Sequence, residues 1–124
     1  MIESEDKYLD LPLVVIDEGT FKYVLLSLCP SNTSSGGDPV YFIRGDSSCE
    51  YHVEVIGHLH QRLVKMGCDP KICGGGRIFH QAITKEINIY GYSVQYGQAD
   101  HSITARILEN MLPDYKITCS NEGY

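Results

Sequence analysis

The chain has 124 residues, so we expect one domain spanning residues 1–124, without room for a second independent core. Its 43% hydrophobic content is typical of a globular protein, and apolar stretches such as 11–16 and 24–28 are far shorter than the roughly 20 residues of a membrane helix. The formal net charge of −6 argues against a general affinity for nucleic acid or acidic membranes.

The N-terminal ten residues are acidic and lack the basic and apolar segments of a secretory signal. We therefore expect a cytoplasmic protein. Thiols stay reduced in that compartment, and an odd number of cysteines also argues against a disulfide framework. All five cysteines are expected to be free: Cys29, Cys49, Cys68, Cys73 and Cys119.

Strand patterns dominate the first third of the chain. A short strand is predicted at 14–16 and a longer one at 20–28, whose two faces are both largely apolar, which is typical of a central strand. One face carries Phe21, Tyr23 and Leu25, and the other carries Lys22, Val24, Leu26 and Leu28. Residues 30–39, rich in Ser, Asn, Gly and Asp, predict a flexible surface loop.

A strand at 40–43 and a turn at 45–46 are predicted to lead into a helix at about 48–66, which Gly67 ends. Ser47 and Glu50 have the spacing of a capping box at the helix start. The apolar stripe of this helix consists of Ile56, Leu59, Leu63 and Met66. His52 lies four residues before Ile56, so it is predicted on the inward face, one to two turns from an N-terminus that favours anions.

The second half of the chain predicts more strands and another helix. Residues 68–76 are interpreted as a loop ending in three glycines, and 77–82 and 86–92 as two strands around a turn at 83–85. A helix at about 100–111 ends before Pro113, and a strand at 115–119 follows. We predict an α+β fold, with a mixed sheet of about six strands sandwiched between two helices.

General motifs identify no site. The segment 74–77 lacks the Lys-Ser/Thr of a P-loop, and Cys73 precedes Arg77 by only four residues, which excludes the cysteine-phosphatase arrangement. The spacing of Cys68, Cys73 and His80, without a second cysteine pair, argues against zinc. His58 and His60 are two apart on the first helix and do not share a face.

Several segments together resemble the phosphohistidine phosphatase (Janus) family, nearly from end to end. The matching stretches are Phe21-Lys22-Tyr23-Val24, Ile43-Arg44-Gly45, Glu50-Tyr51-His52, Gly67-Cys68-Asp69, Gly74-Gly75-Gly76-Arg77-Ile78, Tyr90-Gly91-Tyr92-Ser93, Tyr96-Gly97, His101, Pro113-Asp114-Tyr115 and Gly123-Tyr124. The resemblance implies hydrolysis of phosphorus–nitrogen bonds, chiefly in phosphohistidine and also in phospholysine. Departures cluster in the N-terminus and the 30–39 loop.

The resemblance assigns roles by position. His52 resembles the catalytic histidine of the family, Lys22 its substrate-binding lysine, and Ser93, Val94 and Gln95 its phosphate-binding segment. Gln95 replaces an expected small residue, which a role through its main-chain amide tolerates. No metal or other cofactor is implied.

The chemistry of phosphoryl transfer suits these residue types, because it depends on donors converging on the phosphoryl oxygens. Arg44 and Arg77 are candidate bidentate clamps, and His101 is a candidate leaving-group acid or orienting residue. Structural alternatives stay open: a buried histidine is more often a core residue than a catalyst, and the arginines could pair with carboxylates. In the structural alternative, the Lys22 side chain extends to solvent, and His101 serves only as a hydrogen-bonding residue at the start of a helix.

Two functions from different classes remain. One is a monomeric, metal-independent protein histidine phosphatase whose partners are phosphohistidine-containing proteins, with neither nucleic acid nor membrane as a partner. The other is a non-catalytic Janus-type module that binds phosphoproteins in sexual differentiation. The joint presence of His52, Lys22 and Ser93 favours the enzyme, because a binding pocket needs cations but no titratable base.

Overall fold

The structure is a computed structural model that describes residues 2–4, 7–8, 11–28, 39–48 and 52–120, without the side chains of residues 2, 7, 52, 53 and 54. The elements in chain order are β1 (Ile2–Glu3), β2 (Lys7–Tyr8), β3 (Leu11–Pro12), β4 (Val14–Ile16), β5 (Gly19–Leu28), β6 (Val40–Asp46), α1 (His52–Lys65), β7 (Lys71–Gln81), β8 (Glu86–Tyr90), α2 (His101–Met111) and β9 (Lys116–Cys119).

One mixed sheet organises the described part of the chain, with the strand order β1-β4-β6-β5-β7-β8-β9. The pairs β4–β6 and β8–β9 are parallel and the other neighbours are antiparallel. Six of these strands have three residues or more, and the two-residue β1 lies at the edge. The predicted α+β class, with a mixed sheet of about six strands, is therefore confirmed. Strands β2 and β3 form a separate antiparallel pair.

A helix covers each face of the sheet, as predicted. Alternate residues of β5 divide between two hydrophobic clusters, because successive side chains of a strand point to opposite faces. Phe21, Tyr23 and Leu25 belong to the cluster that α2 covers with Ala105 and Leu108. Val24, Leu26 and Leu28 belong to the cluster that α1 covers with Ile56, Leu59 and Leu63. The predicted division of the central strand is confirmed.

Helix α1 ends next to Gly67, as the sequence predicted. Gly67 adopts a left-handed φ of +83°, its amide donates to the carbonyl of Val64, and the amide of Cys68 donates to that of Leu63. This pair of bonds is a Schellman motif, which satisfies carbonyls at the end of the helix. Met66, predicted as the last stripe residue, lies just beyond the helix and is 47% exposed.

A local turn precedes α1. Ser47 and Ser48 form a turn, in which the Asp46 carboxylate accepts hydrogen bonds from the amide and hydroxyl of Ser48 at 2.8 and 2.6 Å. This local side-chain bonding keeps Ser48 in the turn. Residues 49–51, between this turn and α1, lie outside the described residues, so the predicted start at about 48 stays a prediction. The predicted turn at 45–46 is wrong, because both residues belong to β6. Glu50 of the predicted capping box lies outside the described residues.

The glycine-rich segment is a strand and not a loop. Residues 71–81 form β7, with Gly74, Gly75 and Gly76 inside it. A Cβ at Gly76 would lie 2.5 Å from the Tyr90 carbonyl oxygen and 2.6 Å from Cε1 of His101, so only glycine fits at this close approach. The predicted loop at 68–76 is therefore wrong, because tertiary contacts override the low strand propensity of glycine.

The remaining boundaries follow the predictions closely. Helix α2 begins after Asp100, whose side chain accepts from the Ser102 amide, and it ends at Met111. Strand β8 ends at Tyr90, two residues earlier than predicted, since Gly91 turns the chain with φ +75°. Except for residue 39, the predicted loop at 30–39 lies outside the described residues.

Three thiols are described, and all are free: Cys68, Cys73 and Cys119. Cys29 and Cys49 lie outside the described residues. Cys68 packs against the α1-side cluster and Cys73 against the α2-side cluster, so these two thiols lie on opposite faces of the sheet. Neither described helix has the length and apolar character needed to cross a bilayer.

Candidate active site

Two cations face each other across the two central strands on the α1 side of the sheet. Lys22 of β5 lies directly opposite Arg77 of β7, and on its other flank Lys22 lies opposite Asp46 of β6. Directly paired residues of antiparallel strands point to the same face, with Cβ atoms about 5 Å apart. Like charges in this position repel each other, and a neighbouring anion such as the Asp46 carboxylate reduces that repulsion.

Helix α1 begins at this end of the sheet. It follows β6 after the 47–48 turn, contacts β5 and β6, and has His52 as its first residue. The first turn of a helix presents amide groups that lack intrahelical acceptors and carries partial positive charge. The predicted position of His52 relative to the helix start depends on residues 49–51, which lie outside the described part of the chain, as does the His52 side chain.

A tight loop follows β8 at residues 93–97. Reciprocal backbone hydrogen bonds of 3.0 and 2.8 Å join Ser93 and Gly97, and the Ser93 hydroxyl accepts from the Tyr96 amide at 3.1 Å. Ser93 is only 1% exposed, whereas Val94 is 81% exposed and Gln95 is also exposed. The Ser93 side chain thus holds the loop closed from the inside, and Val94 and Gln95 form its tip.

The tip of this loop can bind an anion through its backbone. Among the described residues, the amide groups of Val94 and Gln95 make no hydrogen bond, in contrast to those of Ser93, Tyr96 and Gly97. Successive backbone amides in a turn form a concave donor surface for anions. Since the amide exists in any residue, the exposed side chain of Gln95 does not interfere with this role.

The glycine strand fixes the position of this loop. Gly75 donates to the Gly97 carbonyl and accepts from the Ala99 amide, both at 3.0 Å. Residues 97–99 therefore continue beside β7 where β8 has ended, and Gly75 and Gln98 form a parallel bridge. The backbone of Ala99 passes within 2.7 Å of the position that a Cβ would occupy at Gly74, so a side chain there would displace the loop.

Arg44 is engaged elsewhere. Its guanidinium donates to the carbonyl oxygens of Pro12, Leu13 and Ile43 at 2.6, 3.3 and 3.0 Å, and it lies 5.6 Å from the centre of the Phe42 ring. Burial lowers the pKa of Arg44 to about 10, which still leaves it cationic at neutral pH. The structure therefore places this arginine against the N-terminal segment and does not bring it into the row of Lys22 and Arg77.

His101 is fully buried at the start of α2, where both ring nitrogens have partners. Nε2 lies 2.8 Å from the Gly91 carbonyl oxygen and Nδ1 lies 2.6 Å from the Tyr23 hydroxyl, which is 3.1 Å from Oγ1 of Thr104. A carbonyl only accepts, so Nε2 donates to it; Nδ1 then accepts from Tyr23, and Tyr23 accepts from Thr104. This assignment gives every polar atom of the network a partner.

The hydrogen-bond network distinguishes between the two roles predicted for His101, leaving-group acid and orienting residue. Burial raises the pKa of Tyr23, so this hydroxyl remains a donor at all physiological pH values. Its partner His101 has 0% exposure, so it has no path to a substrate, and its hydrogen bond to Gly91 fixes the residue that opens the 91–99 segment. This geometry favours the orienting role over the acid.

Sequence reasoning did not identify Tyr23, Thr104 and Gly75 as parts of the site. The spacing of His101 and Thr104, three apart on one face of a helix, was an available signal for a shared polar cluster. Tyr23 was assigned only to an apolar face, although a buried tyrosine hydroxyl requires a partner. No pattern in the sequence indicated that Gly75 binds the 97–99 segment, because that contact depends on strand register.

The comparisons with known proteins agree on one family. A model of the Janus/Ocnus family matches residues 8–116. The 14 kDa phosphohistidine phosphatase of Homo sapiens is 38% identical over 117 residues, covering 92% of this chain and 94% of that protein. The protein of the same name from Sus scrofa is 39% identical over 118 residues, covering 92% and 93%.

Relatives with a second kind of name match as well. The sex-regulated protein janus-A of Drosophila melanogaster is 41% identical over 123 residues, covering 98% of this chain and 87% of that protein. Both groups of relatives thus match across the fold described above, including β5, α1, β7 and the 93–97 loop.

Proposed function

Because the chain belongs to the Janus/Ocnus family, we propose that it is a protein phosphatase that hydrolyses the phosphorus–nitrogen bond of phosphohistidine, with His52 as the catalytic residue. The relatives named phosphohistidine phosphatase support the reaction, since they match over more than nine-tenths of the chain. Phospholysine is proposed as a second substrate, because it carries the same type of bond.

One observation carries this proposal: Lys22 and Arg77 lie directly opposite each other on the sheet, at the end where α1 begins. The chain has a net charge of −6, so such a local pair of cations is the feature that lets it attract a phosphoryl group. We place the phosphoryl oxygens above this pair, with the amides of Val94 and Gln95 as further donors.

The reaction needs only acid–base or nucleophilic chemistry from the protein. In one route, His52 takes a proton from water and the water oxygen bonds to phosphorus. The phosphorus–nitrogen bond breaks, its electron pair returns to the substrate ring, and that ring, already protonated on its other nitrogen, leaves as neutral imidazole. In the other route, His52 attacks phosphorus itself and water then hydrolyses the resulting phosphohistidine. The substrate nitrogen is a good leaving group once protonated, so the proposal requires no metal ion.

The roles of the other residues follow from their contacts. Ser93 keeps the phosphate-binding loop closed through its bond to Tyr96, and His101 holds Gly91 at the start of that segment. Arg44 is assigned to the attachment of the N-terminal segment through its three carbonyl bonds. A cytoplasmic location and a monomeric state stay predictions from the sequence.

The decisive experiment is phosphate release from a chemically phosphorylated histidine protein in excess chelator. Wild type should release phosphate, and His52→Ala should lose at least about a hundredfold in rate, as expected for removal of a general base or nucleophile. His58→Ala is the matched control, because His58 is an exposed histidine of the same helix, and it should keep full activity. Circular dichroism establishes that each variant is folded.

The second candidate is a non-catalytic module that binds phosphorylated proteins in sexual differentiation. The match to janus-A over 98% of the chain favours it, because those relatives are named for sex regulation. In this case Lys22 and Arg77 would bind the phosphoryl group without its hydrolysis. A folded wild type that binds the phosphorylated protein but releases no phosphate would replace the phosphatase proposal with this one.

A further inference from the structure

A second row of side chains runs beside the cation row on the same face of the sheet. Thr20 lies opposite Phe79, Phe79 opposite Asn88, and Asn88 opposite Thr118, across the four strands β5, β7, β8 and β9. Thr20 precedes Lys22 by two residues, and Phe79 follows Arg77 by two. Residues two apart in a strand share a face and are separated by roughly 7 Å, so the rows are adjacent.

This row forms the floor of an open groove of about 540 Å³. Helix α1 packs mainly on β5 and β6, and the described part of the chain leaves open the part of this face that Phe79, Asn88 and Thr118 form. Tyr90, which lies opposite Arg77, lines the groove at the end nearest to the cations. The groove is thus continuous with the proposed phosphoryl site.

The lining of the groove suits a peptide. The Thr118 hydroxyl donates to Oδ1 of Asn88, which leaves the amide NH2 of Asn88 and the hydroxyl of Thr20 to bond to a peptide backbone. Phe79 and Tyr90 offer aromatic surface to side chains. The lining residues that the structure describes include no Asp, Glu, Lys, Arg or His. A charged side chain of a ligand would therefore lose hydration there without gaining an ion pair.

We propose that this groove, named here the substrate groove, binds the extended polypeptide segment next to the phosphohistidine of a protein substrate. The proposal rests on the proposed function, which places the phosphohistidine above Lys22 and Arg77. The substrate chain must leave that point on a side not occupied by α1, and the substrate groove begins there. Two residues of an extended chain span roughly 7 Å, so the residue two positions from the phosphohistidine reaches the Thr20–Thr118 row. Uncharged residues are preferred at that position.

The test is a binding measurement with two ligands: a stable phosphohistidine analogue as a single amino acid, and a short uncharged peptide carrying it at its centre. Wild type should bind the peptide about tenfold more tightly than the single amino acid. Thr118→Tyr should remove this difference, because its ring fills the substrate groove, and it should leave the affinity for the single amino acid unchanged. Tyrosine is favoured in strands and Thr118 is exposed, so the variant should fold.

Two further variants provide a second substitution in the substrate groove and a control outside it. Thr20→Tyr fills the same groove from β5 and should act as Thr118→Tyr does, whereas Gln61→Tyr adds the same ring to the exposed side of α1 and should bind both ligands like wild type. Equal affinity of wild type for the peptide and the single amino acid overturns the proposal, as does undiminished peptide binding by both groove variants. A failure of the phosphatase proposal would give a different result: wild type would release no phosphate but would still bind the peptide more tightly than the single amino acid.

Discussion

The hydroxyl oxygen of Tyr23 lies 2.6 Å from Nδ1 of His101, although 78 positions separate the two residues in the chain. Neither residue has any exposed surface, and their ring centres are 5.7 Å apart. This hydrogen bond joins the central strand β5 to the start of α2. Through Nε2 of His101 it extends to the Gly91 carbonyl, so it connects the sheet to the segment that carries the 93–97 loop, the proposed phosphate-binding loop.

Removal of the Tyr23 hydroxyl should destabilise the fold. Tyr23→Phe leaves Nδ1 of a buried His101 without its donor, which should lower the free energy of unfolding by about 1–3 kcal/mol, measured by urea titration. Tyr115→Phe is the matched control, because its hydroxyl lies 3.4 Å from Nε2 of His80, too far for a strong bond. A loss as large in Tyr115→Phe as in Tyr23→Phe would contradict this account of the network.

Two glycines should respond to alanine in opposite directions. Gly76→Ala places a methyl group 2.5 Å from the Tyr90 carbonyl oxygen, so it should lower the free energy of unfolding by about 1–3 kcal/mol. Gly57 lies in α1, where an added Cβ would have no neighbouring atom within 4 Å, so Gly57→Ala should stabilise by about 0.5–1 kcal/mol. Thermal or urea unfolding measures both, and tolerance of alanine at Gly76 would be inconsistent with the close approach described.

The cation pair should account for phosphate binding. Inorganic phosphate should raise the melting temperature of wild type, because a ligand that binds only the folded state stabilises it. Lys22→Gln and Arg77→Gln should each weaken phosphate binding about tenfold, the usual magnitude for loss of a hydrogen bond from a charged group. Lys71→Gln changes an exposed cation of the same strand as Arg77 and should leave binding intact. Equal weakening in all three variants would point to general electrostatics instead of a site.

Helix α2 should lose part of its stability in acid. A hydrogen bond from the Ser102 hydroxyl, supported by the Ser102 amide, holds the pKa of Asp100 below its usual value. A lowered folded-state pKa means that this carboxylate stabilises the fold fully above about pH 4, the ordinary aspartate value, and that the effect disappears as pH falls through the folded-state pKa.

Asp100→Asn provides the measurement, because asparagine is also a good helix cap but does not titrate. Unfolding free energies of wild type and variant are compared from pH 7 down to pH 2. The amount by which the unfolding free energy of wild type exceeds that of Asp100→Asn at pH 7 should decrease below about pH 4 and reach zero near pH 2. A difference between the two proteins that stays constant across this range would show that the charge of Asp100 contributes nothing.

The sequence predicted elements well where local periodicity is strong. The alternation around Tyr23 in β5, the extent of α2, and the stop of α1 at Gly67 all follow from contacts within a few residues, and the structure confirms them. Predictions failed where a distant segment decides the conformation. Gly74 to Gly76 form a strand because the 97–99 segment and α2 require a backbone without side chains beside them, which no local pattern reveals.

The candidate site could likewise be predicted only in part from the sequence. Candidate residues for phosphoryl transfer could be named from the sequence: the family resemblance indicates His52 and Lys22, and the chemistry adds Arg77. The different position of Arg44 could not be foreseen, because its bonds to Pro12 and Leu13 depend on how the N-terminal segment packs.

By itself the sequence determined the α+β class, the faces of the central strand and the family, because side-chain periodicity and residue identity are local properties. Only the tertiary structure decided that Lys22 lies opposite Arg77, that Tyr23 binds His101, and that Thr20 and Thr118 belong to one groove. Each of these relationships depends on strand register or helix packing. Those are set by the burial of the whole core, and therefore by the entire chain at once.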